Sequence, residues 1–357
     1  MDRFDMPLSN SLSDVLVRPE GVLRLAAEEW NSIILHARRT QTLGQLMVQL
    51  TSRGLVGKVP AAVLRHLTLS HLTAQRRAEA ARWEIDLVRR AISSDTPIIL
   101  LKGCAYLLAK DANAEGRFFS DIDVLVPKSA LGATEAELIG AGWMPGQVDA
   151  YDQRYYREWS HEVPPMEHVR RHTVIDLHHA IIPPISRYRF PTELLLESVE
   201  EIGTGIHVLG TADRVIHCAV HLILEGAADK VFRDLYDLHL LLEQHFPDST
   251  KRAELHSRAR RLGLDRFVAA AVRAADAMFC AKPAADAANS WLASCLKAVA
   301  TGCTPGLENQ FPVRIGRIVL LALSHWMKMP VRILIPHLAR KTVLELFPKN
   351  EEATSLP

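Results

Sequence analysis

The chain has 357 residues, with 42 Lys and Arg against 41 Asp and Glu and a formal net charge of +1. That length is enough for two or three packed domains, and the near-balance of charge argues against a polynucleotide substrate, whose phosphate backbone calls for a basic excess or stripe. The five cysteines, Cys104, Cys218, Cys280, Cys295 and Cys303, form no CxxC pair, so neither a disulfide framework nor a cysteine zinc site is indicated.

The opening MDRFDMPLSN has no basic segment followed by an apolar one, so it does not read as a secretory signal. The longest clean apolar run, Ile318 to Leu323, is too short to span a bilayer, and the chain is read as cytoplasmic. Up to about Ser93 the sequence is rich in Ala, Leu, Arg and Glu, with apolar residues at three- and four-residue spacing, which predicts helices. Ser93-Ser94-Asp95-Thr96-Pro97 is a turn signal, and Ile98-Ile99-Leu100-Leu101 then reads as a short buried strand. Lys102-Gly103 breaks that strand and a helix is predicted from Cys104 to Lys110. Asp121 to Val126 reads as a second strand, after which Ser129 is placed to cap a helix running to Gly142.

Two more strands are predicted within Gln153 to Trp159 and Thr173 to His178, joined by the Pro164-Pro165 loop. Beyond Pro183-Pro184 the pattern is helical again, most clearly from Ala212 to Gln244, and continues so to about Phe347. The expected organisation is a helical region over 1–93, an α/β core over 94–200 and a helical region over 201–357. The expected fold class is α+β: a mixed, largely antiparallel sheet of about four or five strands with two helices against it, flanked by helical regions.

Strand side chains alternate faces, so Asp121 and Asp123 project from the same side of their strand. Two like charges held that close favour a hard divalent cation such as Mg²⁺, although two solvated aspartates on an edge strand would show the same pattern. About twenty residues upstream, the strand-Gly-helix junction offers free backbone N–H groups and a positive dipole end to a phosphate. Carboxylates for metals and a phosphate cradle are the two halves of a nucleotide-transfer site. Alternation in Val174-Ile175-Asp176-Leu177-His178-His179 puts Asp176 and His178 on one face, where a hydrogen-bonded Asp–His pair or a metal ligand with its partner would both fit.

The segments Ile99-Leu-Leu-Lys-Gly-Cys-Ala-Tyr-Leu-Leu, Arg117-Phe-Phe-Ser-Asp-Ile-Asp-Val-Leu-Val and Val174-Ile-Asp-Leu-His-His resemble the bacterial "uncharacterised nucleotidyltransferase" family of the DNA-polymerase-β-like superfamily. The resemblance extends from about Leu23 into the 330s and implies a polymerase-β-like core. It also implies that Asp121 and Asp123 bind two Mg²⁺ ions that clamp a nucleoside triphosphate, ATP being the expected one. Asp176 would share a metal and orient or deprotonate the attacking hydroxyl. Gly103 and the following N–H groups would cradle phosphates with the help of Lys102, while Arg117 and Ser120 sit where triphosphate contacts are often found, with His178 beside Asp176. The implied acceptor is a small molecule, saccharide or peptide that the sequence does not identify. Where the superfamily usually has Gly-Ser or Gly-Gly, this chain has Lys102-Gly103-Cys104, which leaves open a nucleotide-binding scaffold without turnover.

Two other readings are weighed. His217 and His221, one helical turn apart, could chelate zinc with Asp234 or Asp237, but the glutamate of an HExxH pattern is missing. The stretch from Arg314 to Phe347 mixes basic and apolar residues and could touch an anionic membrane surface, the plainer reading being a terminal helical pair that caps the core.

Overall fold

The computed structural model describes residues 11–146, 149–188, 192–280 and 290–346. The opening decapeptide and Phe347, on which two of the sequence readings fall, lie outside the described residues.

Among the described residues the architecture is α+β, with one mixed sheet of seven strands in the order β3-β4-β5-β2-β1-β7-β6. The strands are β1 (Ile98–Leu100), β2 (Asp121–Leu125), β3 (Trp143–Pro145), β4 (Met166–His168), β5 (Val174–His178), β6 (Glu200–Gly203) and β7 (Ile206–Val208). Four neighbouring pairs are antiparallel, whereas β2 with β5 and β1 with β7 are parallel. The sheet is therefore mixed and mostly antiparallel as expected, but larger than four or five strands. The short hairpin of β6 and β7 extends it from a segment expected to be helical.

The expected strand within Gln153 to Trp159 is instead helical, as an α-helix over Ala150–Arg154 followed by a π-helical turn over Tyr155–Trp159. Asp149 caps this helix by accepting from the Tyr151 and Asp152 amides. The aromatic run looks like a strand by propensity, but capping and packing override that weak preference: Tyr151 and Tyr155 both meet Trp159 edge-on and both stack on His337. Ser129 caps nothing. It lies in a 3₁₀ turn, Lys128–Ala130, that leads into the helix Leu131–Gly140.

Alternation along the central strands divides the apolar core in two. Ile98, Leu100, Ile122, Val124, Ile175 and Leu177 face Ala81, Ile85 and Val88 of the long helix Ala61–Ala91, and Leu138. Ile99 and Leu125, on the other face, join the cluster built from the N-terminal helices and the helices Thr211–Glu225, Val231–His245 and Asp265–Phe279. Both faces of the sheet are thus walled by helices.

Three histidines, His36, His217 and His239, are buried in this helical side. Burial lowers their pKa values to about 4, about 3 and about 4 respectively. An unfolded imidazole takes up its proton near pH 6.5 while these resist, so between about pH 6.5 and 4 the unfolded chain binds more protons and stability falls as pH drops. Each group contributes up to about 1.4 kcal/mol per pH unit in that window. Asp176 and Asp237, whose carboxyls burial pushes up, work in the opposite sense, but they are outnumbered because burial lowers His161 and His221 as well. Urea unfolding at pH 7 and pH 5 should show a clear loss of midpoint at pH 5, and an unchanged midpoint would contradict this account.

Candidate active site

The parallel register of β2 and β5 sets Asp123 beside Asp176 and Asp121 beside Val174. Asp121, Asp123 and Asp176 therefore share the sheet face that looks toward the C-terminal helices, and all three line a cleft of about 320 Å³. Lys102, Gly103, Arg117 and Ser120 line the same cleft. The opposite wall comes from Glu225, Lys230, Arg233, Asp234 and Asp237, and Glu162 closes one side.

The three aspartates differ in environment. Asp121 is exposed at the start of its strand and accepts a 2.8 Å hydrogen bond from Ser120 Oγ. Asp123 is 3% exposed, so it is not the solvated twin of Asp121 that alternation alone suggests. Its Oδ1 accepts from Lys102 Nζ at 2.7 Å and from His178 Nε2 at 3.0 Å. Burial alone would raise its pKa, but the Lys102 ammonium and the His178 bond hold it well below the usual carboxylate range. Asp176 has no such compensation: burial first, then the neighbouring Asp123 and Glu162 carboxylates, push it up to about 7. The cleft thus contains an oxygen-rich donor set with too little positive charge, which is the condition a hard divalent cation relieves.

Lys102 is found facing the carboxylates instead of standing free in the phosphate cradle. Burial opposes its charge, yet Asp123 raises its pKa above the ordinary lysine value. Its backbone is left-handed at φ 47°, a conformation that favours glycine. A lysine held there costs roughly 1–3 kcal/mol, which its contact with Asp123 offsets.

Gly103 is closely packed: a Cβ there would lie 3.0 Å from Arg117 Nη1 and 3.2 Å from Phe119 Cδ1. Arg117 is tied through Nε to Asp237 Oδ2 at 2.9 Å, and Gln45 donates to the other Asp237 oxygen at 3.1 Å. This triad joins the loop before β2 to the helical wall. Cys104 is buried in the sheet core with its Sγ 3.6 Å from the Asp121 carbonyl, so position 104 faces away from the cleft. His178 lies behind Asp123, outside the cleft lining, and hydrogen-bonds to the site through that carboxylate.

The zinc reading of the 211–225 helix is not supported. The His217 and His221 rings meet edge-on at 6.0 Å, and among the described residues neither belongs to a group of three converging metal-ligand atoms. The residues that sequence reasoning missed are Glu162, Lys230 and Arg233. Glu162 follows a segment expected to be a strand and is brought in by an isolated bridge to His178. Lys230 and Arg233 sit at the start of the Val231–His245 helix, where nothing local marks them as cleft residues.

The helix Phe311–Lys328, which precedes the last described helix Val331–Leu346, packs Val313, Leu320 and Met327 inward, the capping role the plainer reading expected. Its outer face leaves Phe311, Ile315, Ile318 and Leu321 exposed. Among the described residues, no helix is long and apolar enough to cross a membrane.

A family model described as "Uncharacterised nucleotidyltransferase" matches residues 26–280. No curated protein and no solved structure matches the chain.

Proposed function

Because the chain belongs to the uncharacterised nucleotidyltransferase family, we propose that it transfers a nucleoside monophosphate from a nucleoside triphosphate, ATP being the expected one, to a hydroxyl-bearing acceptor. The observation that carries this reading is the register that brings Asp121, Asp123 and Asp176 to one face of one cleft. Carboxylate oxygens alone make up this set, so it fits Mg²⁺, and the charge left over on Asp176 is what such ions would offset. Two divalent ions held there would neutralise the triphosphate and the charge that builds on the leaving pyrophosphate.

The residues have separate tasks in this scheme. The positive ends of Lys230 and Arg233 attract the phosphates from the helical wall, and the N–H groups after Gly103 bind them at the helix start. Ser120 and Arg117 shape the floor. The acceptor oxygen forms a bond to the α-phosphorus, the bond from that phosphorus to the bridging oxygen breaks, and pyrophosphate leaves with the electron pair. The acceptor's proton passes to an Asp176 oxygen, which the strand register sets beside Asp123 on the face of the cleft. A hydroxyl-bearing small molecule, saccharide or peptide would serve as acceptor.

A second reading has its own observation. Asp123 is already paired with the Lys102 ammonium and hydrogen-bonded by His178, as in a site that binds nucleotide without turning it over. Incubation with α-labelled ATP, Mg²⁺ and fractionated cell metabolites and proteins separates the two. Transfer of label with stoichiometric pyrophosphate supports catalysis. Bound but intact nucleotide across all fractions supports the scaffold.

A further inference from the structure

His161, Glu162 and His178 converge beside the aspartate cleft, with one ligand atom from each lying within 4.8 Å of the others. The carboxylate of Asp123 can only accept, so the 3.0 Å contact makes His178 Nε2 the donor. In the neutral ring the proton then sits on Nε2, and Nδ1 presents a lone pair. That nitrogen is buried, makes no hydrogen bond, and faces Glu162 Oε2 at 3.5 Å. His178 itself is 1% exposed. The two groups therefore face one another without a hydrogen bond between them.

His161 completes the geometry. Its Nε2 lies 3.9 Å from the same Glu162 oxygen, and the two imidazole rings are 5.4 Å apart, centre to centre. Ligand atoms at about 2.1 Å from a tetrahedral ion stand about 3.4 Å from each other, against 3.5 and 3.9 Å for the two histidine–Glu162 contacts. Histidine ligands almost always give their second ring N–H to a carboxylate, and His178 already gives its own to Asp123.

We propose that His161, Glu162 and His178 form a binding site for one Zn²⁺ ion, separate from the aspartate site and joined to it through the His178–Asp123 hydrogen bond. Two imidazole nitrogens and one carboxylate oxygen are a donor set that selects zinc over Mg²⁺, which keeps to oxygen. Glu162 lines the cleft, so the fourth coordination position is left to a water or a ligand atom entering from it. The site does not depend on nucleotidyl transfer, because its nitrogen donors play no part in that scheme.

Full-length protein stripped with chelator and dialysed against Zn²⁺ in excess Mg²⁺ should retain one equivalent of zinc by elemental analysis. Zn²⁺ titration by calorimetry should show the affinity falling at least ten- to a hundred-fold in both His161→Ala and Glu162→Gln. Both positions are partly exposed, and Zn²⁺ should raise the melting temperature of the wild type but of neither variant. His239→Ala, which disrupts the other converging group of His239, Glu243 and Cys280, should keep the zinc. Absence of stoichiometric zinc from the wild type would overturn the proposal. So would zinc that survives in both site variants or is lost only in His239→Ala.

Discussion

Asp121→Asn is expected to lower nucleotidyl transfer by on the order of a thousand-fold while leaving the unfolding midpoint of the metal-free protein unchanged. Metal-borne charge stabilisation is worth several kcal/mol, at about 1.4 kcal/mol per decade of rate. Asp121 is exposed and bonded only to the Ser120 hydroxyl among the hydrogen bonds of this site, so the fold loses nothing with its charge. Asp123→Asn should lose activity equally but also stability, because it strands Lys102 and His178 beside a neutral amide. Measuring label transfer and chemical denaturation on both variants checks the contrast. Full activity in Asp121→Asn would remove that residue from the site, and a stability loss as large as that of Asp123→Asn would contradict the assigned environments.

Lys102→Ala is expected to destabilise the metal-free protein by about 3 kcal/mol, because removing one partner of a buried ion pair leaves the other uncompensated. Mg²⁺ should restore much of that loss by taking over the charge at Asp123. The same variant should bind Mg²⁺ more tightly than wild type in the absence of nucleotide, since the ammonium and the metal compete for one carboxylate. Melting temperatures with EDTA and with Mg²⁺, and a Mg²⁺ titration, read both effects. A variant whose stability ignores Mg²⁺ would mean that Asp123 is a structural partner of Lys102 and no metal ligand. Lys102→Gly is the companion test: it removes the same ammonium while relieving the left-handed backbone, so it should be the more stable of the two in EDTA.

The elements that carry the chemistry were legible because their signals are local. β1 is a continuous apolar run, β2 and β5 alternate cleanly, and the Lys102-Gly103 break falls where the helix begins. Alternation also put Asp176 and His178 on one face. What could not be read is what depends on distant partners. β3, β4, β6 and β7 are three or four residues long, and β6 is exposed throughout, so they show little periodicity. Alternation says that Asp123 shares a face with Asp121, but not that Lys102 and His178 enclose it. The departure at Lys102-Gly103-Cys104 from the usual Gly-Ser or Gly-Gly was visible in the sequence. Its meaning needed the Nζ–Oδ1 contact and the positive φ. Glu162, Lys230 and Arg233 enter the cleft only through tertiary packing, which no local pattern announces.

The most direct test of the central claim is the binding of a non-hydrolysable ATP analogue by calorimetry, with and without Mg²⁺, to wild type, Asp121→Asn and Asp176→Asn. The site described here predicts saturable binding by the wild type that requires Mg²⁺. It further predicts loss of the Mg²⁺ requirement and most of the affinity in Asp121→Asn, and retained affinity in Asp176→Asn if that residue serves chiefly as the base. Wild-type protein that binds no analogue, or binds it equally in EDTA and in both variants, would contradict the claim that these aspartates form a metal-dependent nucleotide site.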